Sequence, residues 1–285
     1  MTFLKILLLA VVQGICELLP VSSSAHVILA EKLMGLDPTA PEMTLLLVML
    51  HTGTMLAVIA YFWRSWRDHY FSSASTFWQF AKLVTVATAL TGVIGIALMF
   101  FIERVIMRGS VHAEIENLFG NTYVIAAGLA AVGVMIILSA RQQPSDTSRR
   151  LGLRESIWIG AVQGLCLPFR GFSRSGSTIS TGLFFGLDKV RVEEFSFALA
   201  VVLTPAVILK EGYRLLKAQE ATLTAAGNLF SIVWPSLVGM FFSFLAGLVA
   251  LKWLSRWLEH GRWHFFGYYC LAASATVLIA GQLLH

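Results

Sequence analysis

A polar stretch interrupts an apolar segment near the start of the chain. It carries an amide, a carboxylate, a run of hydroxyls and an imidazole, in the order Gln13, Glu17, Ser22, Ser23, Ser24 and His26. Placing a charge in a bilayer costs roughly 2.5–3.5 kcal/mol on insertion scales, so such groups in an apolar segment point to function. Their types suit proton transfer and nucleophilic attack.

The spacing of these groups predicts which of them share a helix face. Gln13 and Glu17 lie four residues apart, which puts their oxygens on one face, where they could hold a divalent cation. His26 follows Ser23 by three residues, so the imidazole could accept a proton from that hydroxyl or from water. We expect Glu17, Ser23 and His26 to be catalytic, and Glu17 and Gln13 to bind the metal.

A second polar stretch lies in the other half of the chain. The pattern Val-Gln-Gly-(Ile/Leu)-Cys at 12–16 recurs at 162–166, and Ser-Arg-Ser-Gly-Ser-Thr follows at 173–178. Hydroxyl clusters before apolar residues are typical of helix N-termini, which attract anions. Arg174 adds a forked cation suited to phosphate oxygens, so we expect it to be catalytic. The expected phosphate-binding residues are Ser22, Ser24, Arg170, Ser173, Ser175, Gly176 and Thr178.

Other roles are open for these residues. Glu17 and Arg174 could form an ion pair that only holds the two stretches together. Each serine could be a plain helix cap. His51, in Leu50-His-Thr-Gly-Thr, could line the same cavity, but we expect it to pack in the core.

The composition excludes a water-facing globule. Of the 285 residues, 57% are hydrophobic and 13% are charged, whereas about 25% of residues in soluble domains are charged. The net charge of +5 comes without a basic run interleaved with aromatic residues, so we expect no nucleic-acid partner. The three cysteines lack metal-type spacing, which predicts buried thiols.

Long apolar stretches predict the elements that cross the membrane. A helix needs roughly 20 residues to span about 30 Å of hydrocarbon. The predicted transmembrane helices cover about 43–62, 81–102, 119–139, 195–209, 228–250 and 264–283. The segments 3–35 and 153–187 are apolar at both ends and broken by Pro, Gly and Ser, so we predict re-entrant helical hairpins.

The two broken segments indicate an inverted repeat, with chance similarity of apolar segments as the alternative. We predict an all-α polytopic membrane protein of six transmembrane helices and two re-entrant hairpins, in one integral membrane domain over 1–285. Repeat 1 covers about 1–140 and repeat 2 about 151–285. Most Lys and Arg residues then lie on one side, so the first hairpin and both termini face outward by the positive-inside rule.

Two motifs resemble those of the bacterial undecaprenyl-diphosphate phosphatase family, the bacitracin-resistance type. Residues 13–26 read Gln-Gly-Ile-Cys-Glu-Leu-Leu-Pro-Val-Ser-Ser-Ser-Ala-His and are similar to that family's (Glu/Gln)-Gly-x-x-Glu followed by Pro-Val-Ser-Ser and His. Residues 171–178, Gly-Phe-Ser-Arg-Ser-Gly-Ser-Thr, are similar to its Pro-Gly-x-Ser-Arg-Ser-Gly element. Weaker matches are residues 50–58 and the run Glu-Phe-Ser-Phe at 194–197.

The resemblance implies a multi-pass enzyme of the bacterial inner membrane that hydrolyses undecaprenyl diphosphate to undecaprenyl phosphate and inorganic phosphate. It implies recycling of the lipid carrier for peptidoglycan and other envelope polymers, bacitracin resistance, a divalent cation (Mg²⁺ or Ca²⁺) and a site opening to the periplasm. The partners are the polyprenyl diphosphate and membrane lipids, and a homodimer is one assembly that we consider. The family's important groups fall on Gln13, Glu17, Ser23, His26, Ser173, Arg174, Ser175 and Thr178.

The chain departs from the family pattern at three positions. Gln13 stands where many members have Glu, which leaves one carboxylate in the motif and weakens a two-carboxylate metal site. Ala25 stands where many have Gly. Arg170 replaces the proline before Gly171, and either contacts the phosphates or reshapes the loop.

The sequence leaves the nucleophile and the class of protein open. His26 could activate Ser23, giving a phosphoseryl intermediate, or a water. A lipid-carrier or anion transporter is the main alternative, because broken helices in inverted repeats also build carriers. An acid-phosphatase-like lipid phosphatase and an intramembrane serine protease rank lower, since the motifs that they require are not found.

Overall fold

The fold is known from a computed structural model, which describes residues 2–37, 41–106, 121–142, 151–220 and 229–283. Over these residues the regular structure is helical, as predicted, and a π-helical turn at Ile102–Ile106 extends α4. The helices are α1 (Phe3–Leu18), α2 (Ser23–Leu33), α3 (Pro41–His69), α4 (Ala74–Phe101), α5 (Thr122–Ala140), α6 (Leu153–Leu165), α7 (Arg174–Phe184), α8 (Lys189–Glu220), α9 (Leu229–Glu259) and α10 (His264–Leu283).

Four segments of the described chain are long and apolar enough to cross a membrane: Met43–His69, Ala74–Val105, Thr122–Ala140 and Val233–Glu259. They match the predicted stretches 43–62, 81–102, 119–139 and 228–250, of which residues 119, 120 and 228 lie outside the described residues. The predicted span 195–209 lies inside α8, and 264–283 coincides with α10, a shorter apolar helix. The arrangement with six crossings stays a prediction.

Both broken segments are helix pairs, as their sequences predicted. In the first, α1 and α2 are separated by Leu19–Ser22, where Pro20 lacks the N–H that a continuous helix would use. Ser22 there has φ 66°, the left-handed region. In the second, the loop 166–173 joins α6 to α7 and contains Gly171 at φ 97°. A pair of helices does not define how far the hairpin enters the membrane. The re-entrant course of both hairpins therefore stays a prediction.

The chain forms two compact units, each drawing on both halves of the sequence. The first unit comprises Met1–Leu19, Ser23–Arg64 and Ala200–Leu254. The second comprises Pro20–Ser22, Ser65–Leu199 and Ser255–His285. The first polar stretch therefore falls mainly in the first unit, and the second stretch falls in the second. The repeats at 1–140 and 151–285 stay a prediction.

Small residues bring the helices of the first unit close together. A Cβ at Gly14 of α1 would lie 2.6 Å from the Cβ of Ala246 on α9. The Ser243 hydroxyl of α9 donates to the backbone oxygen of Leu50 on α3 at 2.9 Å. Leu9 and Leu50 are fully buried in the core. Glycine contacts and hydroxyl bonds are the usual links between membrane helices, and here they fix α1 against α9 and α9 against α3.

The second unit packs α4 along α6, α5 along α10, and α7 against both α5 and α6. Gly160 of α6 lies against the backbone of Ala87, where a Cβ would collide. The Thr91 hydroxyl of α4 donates to the carbonyl of Gly160 at 2.9 Å, and the Ser156 hydroxyl of α6 donates to that of Leu83 at 2.6 Å. These contacts fix α6 against α4.

Candidate functional site

The first polar cluster is centred on Glu17, near the end of α1. Its Oε2 accepts a hydrogen bond from the Ser23 hydroxyl at 2.6 Å and a longer one from the Gln13 amide nitrogen at 3.3 Å. Gln13 is buried, whereas the Glu17 side chain is 20% exposed. The helix break makes this contact possible, because it lets Ser23, the first residue of α2, turn back towards α1. Three predicted site residues therefore lie together.

His51, which we expected to pack in the core, lies beside Glu17. Its Nε2 is 3.8 Å from Glu17 Oε2, and its Nδ1 is 2.8 Å from the carbonyl oxygen of Leu47. Because a carbonyl only accepts hydrogen bonds, Nδ1 carries a proton, and Nε2 faces the carboxylate. The match at residues 50–58 to the family pattern was the sequence signal for this residue.

The remaining predicted residues of the first hairpin surround the break. Ser22 is buried, and Ser24 and His26 are half-buried on α2. A hydroxyl has one proton, and that of Ser23 is directed at Glu17. The transfer of this proton to His26 stays a prediction.

The tip of the first hairpin packs inside the second unit. The Cys270 thiol of α10 lies 3.1 Å from the carbonyl oxygen of Pro20 and donates to it. A Cβ at Gly176, in the first turn of α7, would lie 3.1 Å from Pro20 Cβ. Pro20 therefore packs against the helix turn that Arg174 begins.

Arg174 is the first residue of α7, and Ser173 caps that helix. The Ser173 hydroxyl oxygen accepts a hydrogen bond from the backbone N–H of Gly176 at 3.3 Å, and the Ser175 hydroxyl lies 3.4 Å from it. Ser173 and Ser175 are buried, whereas Arg174 is half-buried. The predicted helix N-terminus is confirmed, and a guanidinium stands at the end that attracts anions.

The loop before Arg174 is pressed against α5. Gly171 lies so close to the backbone of Ile125 that a Cβ would collide with it, and its φ of 97° also favours glycine. A Cβ at Gly128 of α5 would lie 2.7 Å from the backbone nitrogen of Phe172. Arg170 is half-buried in this loop. These close contacts fix the loop against α5.

Hydroxyls behind Arg174 bond to its backbone. The carbonyl oxygen of Arg174 accepts from the Thr178 hydroxyl at 2.8 Å and from the Ser177 hydroxyl at 3.0 Å. The Cys166 sulfur lies 3.1 Å from the Ser177 hydroxyl. Thr178, which we expected to bind phosphate, is fully buried with its hydroxyl bonded inside the unit.

A buried carboxylate, Glu194, anchors the start of α8. It is fully buried and accepts hydrogen bonds from the Ser65 hydroxyl and from Nδ1 of His69, the latter at 3.2 Å. Arg191 Nη1 lies 3.5 Å from its other oxygen. The Glu-Phe-Ser-Phe match at 194–197 had pointed to Glu194. No sequence pattern indicated that Ser65, His69 and Arg191 would contact it.

Glu193 is a second buried carboxyl group and comes just before the predicted span 195–209. Burial raises its pKa to about 8, even though the Ser255 hydroxyl donates to it at 2.5 Å and lowers the pKa. The carboxylates of Glu259 and Glu194 raise the pKa further. Glu193 therefore binds its proton more tightly than an ordinary carboxyl group.

The residues present could hold a divalent cation only with help from a ligand. Across the described ranges, which omit 1, 38–40, 107–120, 143–150, 221–228 and 284–285, no three His, Cys, Asp or Glu side chains cluster as metal ligands. Glu17 is the one carboxylate of its cluster, and Gln13 adds an amide. This set is too small for an all-protein calcium cage, but Mg²⁺ commonly takes one or two carboxylates and completes its shell with phosphates and water.

Apolar spanning helices with two polar helical hairpins define this chain as a multi-pass membrane protein. It belongs to the family of the bacitracin resistance protein BacA, whose model matches residues 6–276. The predicted family is thereby confirmed.

The chain is similar to named proteins over nearly its whole length. It is 61% identical to "Undecaprenyl-diphosphatase 2" of Acinetobacter baylyi, covering 98% of both chains. It is 30% identical to "Undecaprenyl-diphosphatase" of Rhodopirellula baltica, covering 97% of both, and 29% identical to the protein of that name from Halothermothrix orenii, covering 98% of both. The similarity includes both hairpins.

Proposed function

We propose that this chain hydrolyses undecaprenyl diphosphate to undecaprenyl phosphate and inorganic phosphate, and so recycles the lipid carrier for peptidoglycan and other envelope polymers. One observation carries the proposal: a serine hydroxyl donates to a carboxylate at 2.6 Å in a chain 61% identical to a named undecaprenyl-diphosphatase. Bacitracin resistance follows from the family.

In the proposed reaction, Ser23 is the nucleophile and Glu17 accepts its proton. The Ser23 oxygen attacks the terminal phosphorus, the bond from that phosphorus to the bridging oxygen breaks, and undecaprenyl phosphate leaves. Water then attacks the phosphoserine, releases inorganic phosphate and returns the hydroxyl to Ser23. The Ser23–Glu17 hydrogen bond supports this route over direct attack by water, because a nucleophile within reach of a base is pre-activated. His26 and His51 act as further proton acceptors.

Arg174 holds the phosphates while the charge shifts to the bridging oxygen. Phosphoryl transfer depends chiefly on positioning and charge stabilisation, and a forked guanidinium suits both. The backbone N–H groups at the start of α7 add partial positive charge. Ser173, Ser175 and Gly176 shape that turn, and Ser22, Ser24 and Arg170 are further proposed phosphate contacts.

Glu17 and Gln13 would hold a divalent cation, Mg²⁺ or Ca²⁺. It would supply charge to neutralise phosphate oxygens.

We also propose the finer topology. Six helices cross the inner membrane, the hairpins 3–35 and 153–187 are re-entrant in inverted repeats, and the site opens to the periplasm. The excess of Lys and Arg on one side supports this orientation. A homodimer is the assembly that we would test first.

The test is phosphate release by the purified full-length protein in detergent, supplied with undecaprenyl diphosphate. We expect release with Mg²⁺ or Ca²⁺ and a large loss with a chelator. Phosphate release that the chelator does not affect would overturn only the proposed cation requirement. No phosphate release with any cation would overturn the proposed hydrolase activity.

The transporter alternative predicts a different result. A carrier would move the intact lipid across sealed vesicles without freeing phosphate. Phosphate release from detergent-solubilised protein, which has no compartments, would therefore exclude a carrier as the sole function.

A further inference from the structure

Ser196, the serine of the Glu-Phe-Ser-Phe run to which no role has been given, lies directly behind the helix turn that begins with Arg174. The Ser196 hydroxyl of α8 is 2.6 Å from that of Thr178, and both residues are at most 1% exposed. The Thr178 hydroxyl is in turn 2.8 Å from the carbonyl oxygen of Arg174. A continuous path of two hydrogen bonds therefore joins α8 to the backbone of Arg174.

The direction of the two bonds follows from counting protons. A carbonyl oxygen has no proton, so Thr178 must donate its single proton to Arg174. The Thr178 oxygen then has only lone pairs to offer Ser196, so Ser196 donates. Replacing Ser196 by alanine would leave the buried Thr178 oxygen short of a donor, which is costly in a dry interior.

The part of α8 that carries Ser196 is well anchored. Glu194, two residues earlier, accepts hydrogen bonds from Ser65 and His69 of α3, and Glu193 accepts one from Ser255 of α9. Phe195 and Phe197, on either side of Ser196, are fully buried. Ser196 therefore projects from a fixed element and can hold Thr178 in one rotamer.

We infer that Ser196 is a positioning residue, which sets the place of Arg174 through the Thr178 hydroxyl. The effect on catalysis rests on the proposed function. Ser196 is buried and does not contact the substrate. It fixes the carbonyl of Arg174, and with it the direction in which the guanidinium leaves the helix.

The test compares Ser196→Ala with Ser156→Ala in the purified full-length protein. Both serines are buried in the second unit and each provides one hydrogen bond, but Ser156 bonds to Leu83, away from α7. Misplacement of a catalytic group by about 1 Å can cost 10²-fold in rate, so we expect a kcat about tenfold lower in Ser196→Ala, with KM within about threefold. Ser156→Ala should keep kcat within about twofold at a similar loss of melting temperature.

A double-mutant cycle tests the path through Thr178. If Ser196 acts only through that hydroxyl, adding Ser196→Ala to Thr178→Val should lower kcat no further. A second tenfold loss in that background would overturn the path. Equal kcat in Ser196→Ala and Ser156→Ala would overturn the inference as a whole.

Hydrogen exchange provides a readout that does not depend on hydrolysis. We expect backbone amides in the first turn of α7 to exchange faster in Ser196→Ala than in Ser156→Ala. If the wild type frees no phosphate, the proposed function fails, and exchange alone decides the positioning: equal exchange in the two variants would overturn it, and faster exchange in Ser196→Ala would support it.

Discussion

The two helical hairpins use their polar groups in opposite ways. In α1–α2 the side chains bond to one another, since Glu17 accepts from both Ser23 and Gln13. In α6–α7 the hydroxyls bond to the backbone of α7: Ser173 caps the helix, and Thr178, which also accepts from Ser196, donates to the carbonyl of Arg174. The first cluster is partly exposed, whereas the hydroxyls of the second are buried.

This difference suggests a division of labour between the hairpins. Side chains bonded to side chains can exchange protons and change partners, as nucleophiles and bases must. Side chains bonded to backbone hold a helix end in place, which suits a fixed charge that stabilises a transition state. We therefore propose that the first hairpin chiefly transfers protons and that the second chiefly binds phosphate.

The largest effect is expected in the first hairpin, at Ser23. Ser23→Ala should lower turnover by at least about 10³-fold, because a nucleophile cannot be replaced by a methyl group. Phosphate release measures the loss. Ser243→Ala is the matched control, since it removes one hydroxyl bond in the same unit, and should stay near wild type. If Ser23→Ala keeps more than about a tenth of the activity, Ser23 is not the nucleophile.

Arg174 is the corresponding test of the second hairpin. Arg174→Ala should lower turnover by about 10²–10³-fold, as loss of a transition-state charge contact does. Arg174→Lys should keep only part of the wild-type turnover, because an ammonium group cannot bind phosphate oxygens in the bidentate way that a guanidinium does. Arg154→Ala, an exposed arginine on α6, is the control for charge alone. Near wild-type phosphate release by Arg174→Ala would contradict the assigned role.

The tips of the two hairpins should respond differently to small changes. Gly171→Ala forces a Cβ against the Ile125 backbone at φ 97°, so we expect a melting temperature lower by about 10 °C. Ser22→Gly should lower the melting temperature by less, since glycine adopts the left-handed conformation of Ser22 without strain. Thermal unfolding in detergent measures both. A stable Gly171→Ala protein would show that the second loop is not fixed.

The smallest effect concerns pH and the unit that carries the second hairpin. The pKa of Glu193 is raised from its ordinary 4.5 to about 8. Between these values the folded state holds a proton that the unfolded state has released, so stability falls as the pH rises through this window. We expect the melting temperature to fall by a few degrees from about pH 5 to about pH 8, and less in Glu193→Gln. The same slope in Glu193→Gln would contradict this assignment.

Local features of the fold were predictable because they depend on neighbouring residues. Pro20 and Gly171 mark the breaks, and the serine before Arg174 marks the start of α7. The ends of α3 and α8 were not predicted, since these helices continue past their apolar stretches as polar helix. A hydropathy pattern detects only the apolar part of such a helix.

Contacts between distant residues could not be read from the sequence. Spacing within one helix favoured His26 as the partner of Ser23, and it did not reveal that the break brings the Ser23 hydroxyl within 2.6 Å of Glu17. His51 reaches the cluster from α3, and Ser196 supports Thr178 from α8. Such pairs depend on tertiary packing, which periodicity does not encode.

Our central proposal is that Glu17 of the first hairpin and Arg174 of the second both act in the hydrolysis of undecaprenyl diphosphate. The most direct measurement is a double-mutant cycle of Glu17→Gln and Arg174→Lys, read as kcat/KM for phosphate release from undecaprenyl diphosphate. If both residues act on the same transition state, the double variant should lose at least about fivefold less than the product of the two single losses. A double loss equal to that product would contradict the claim.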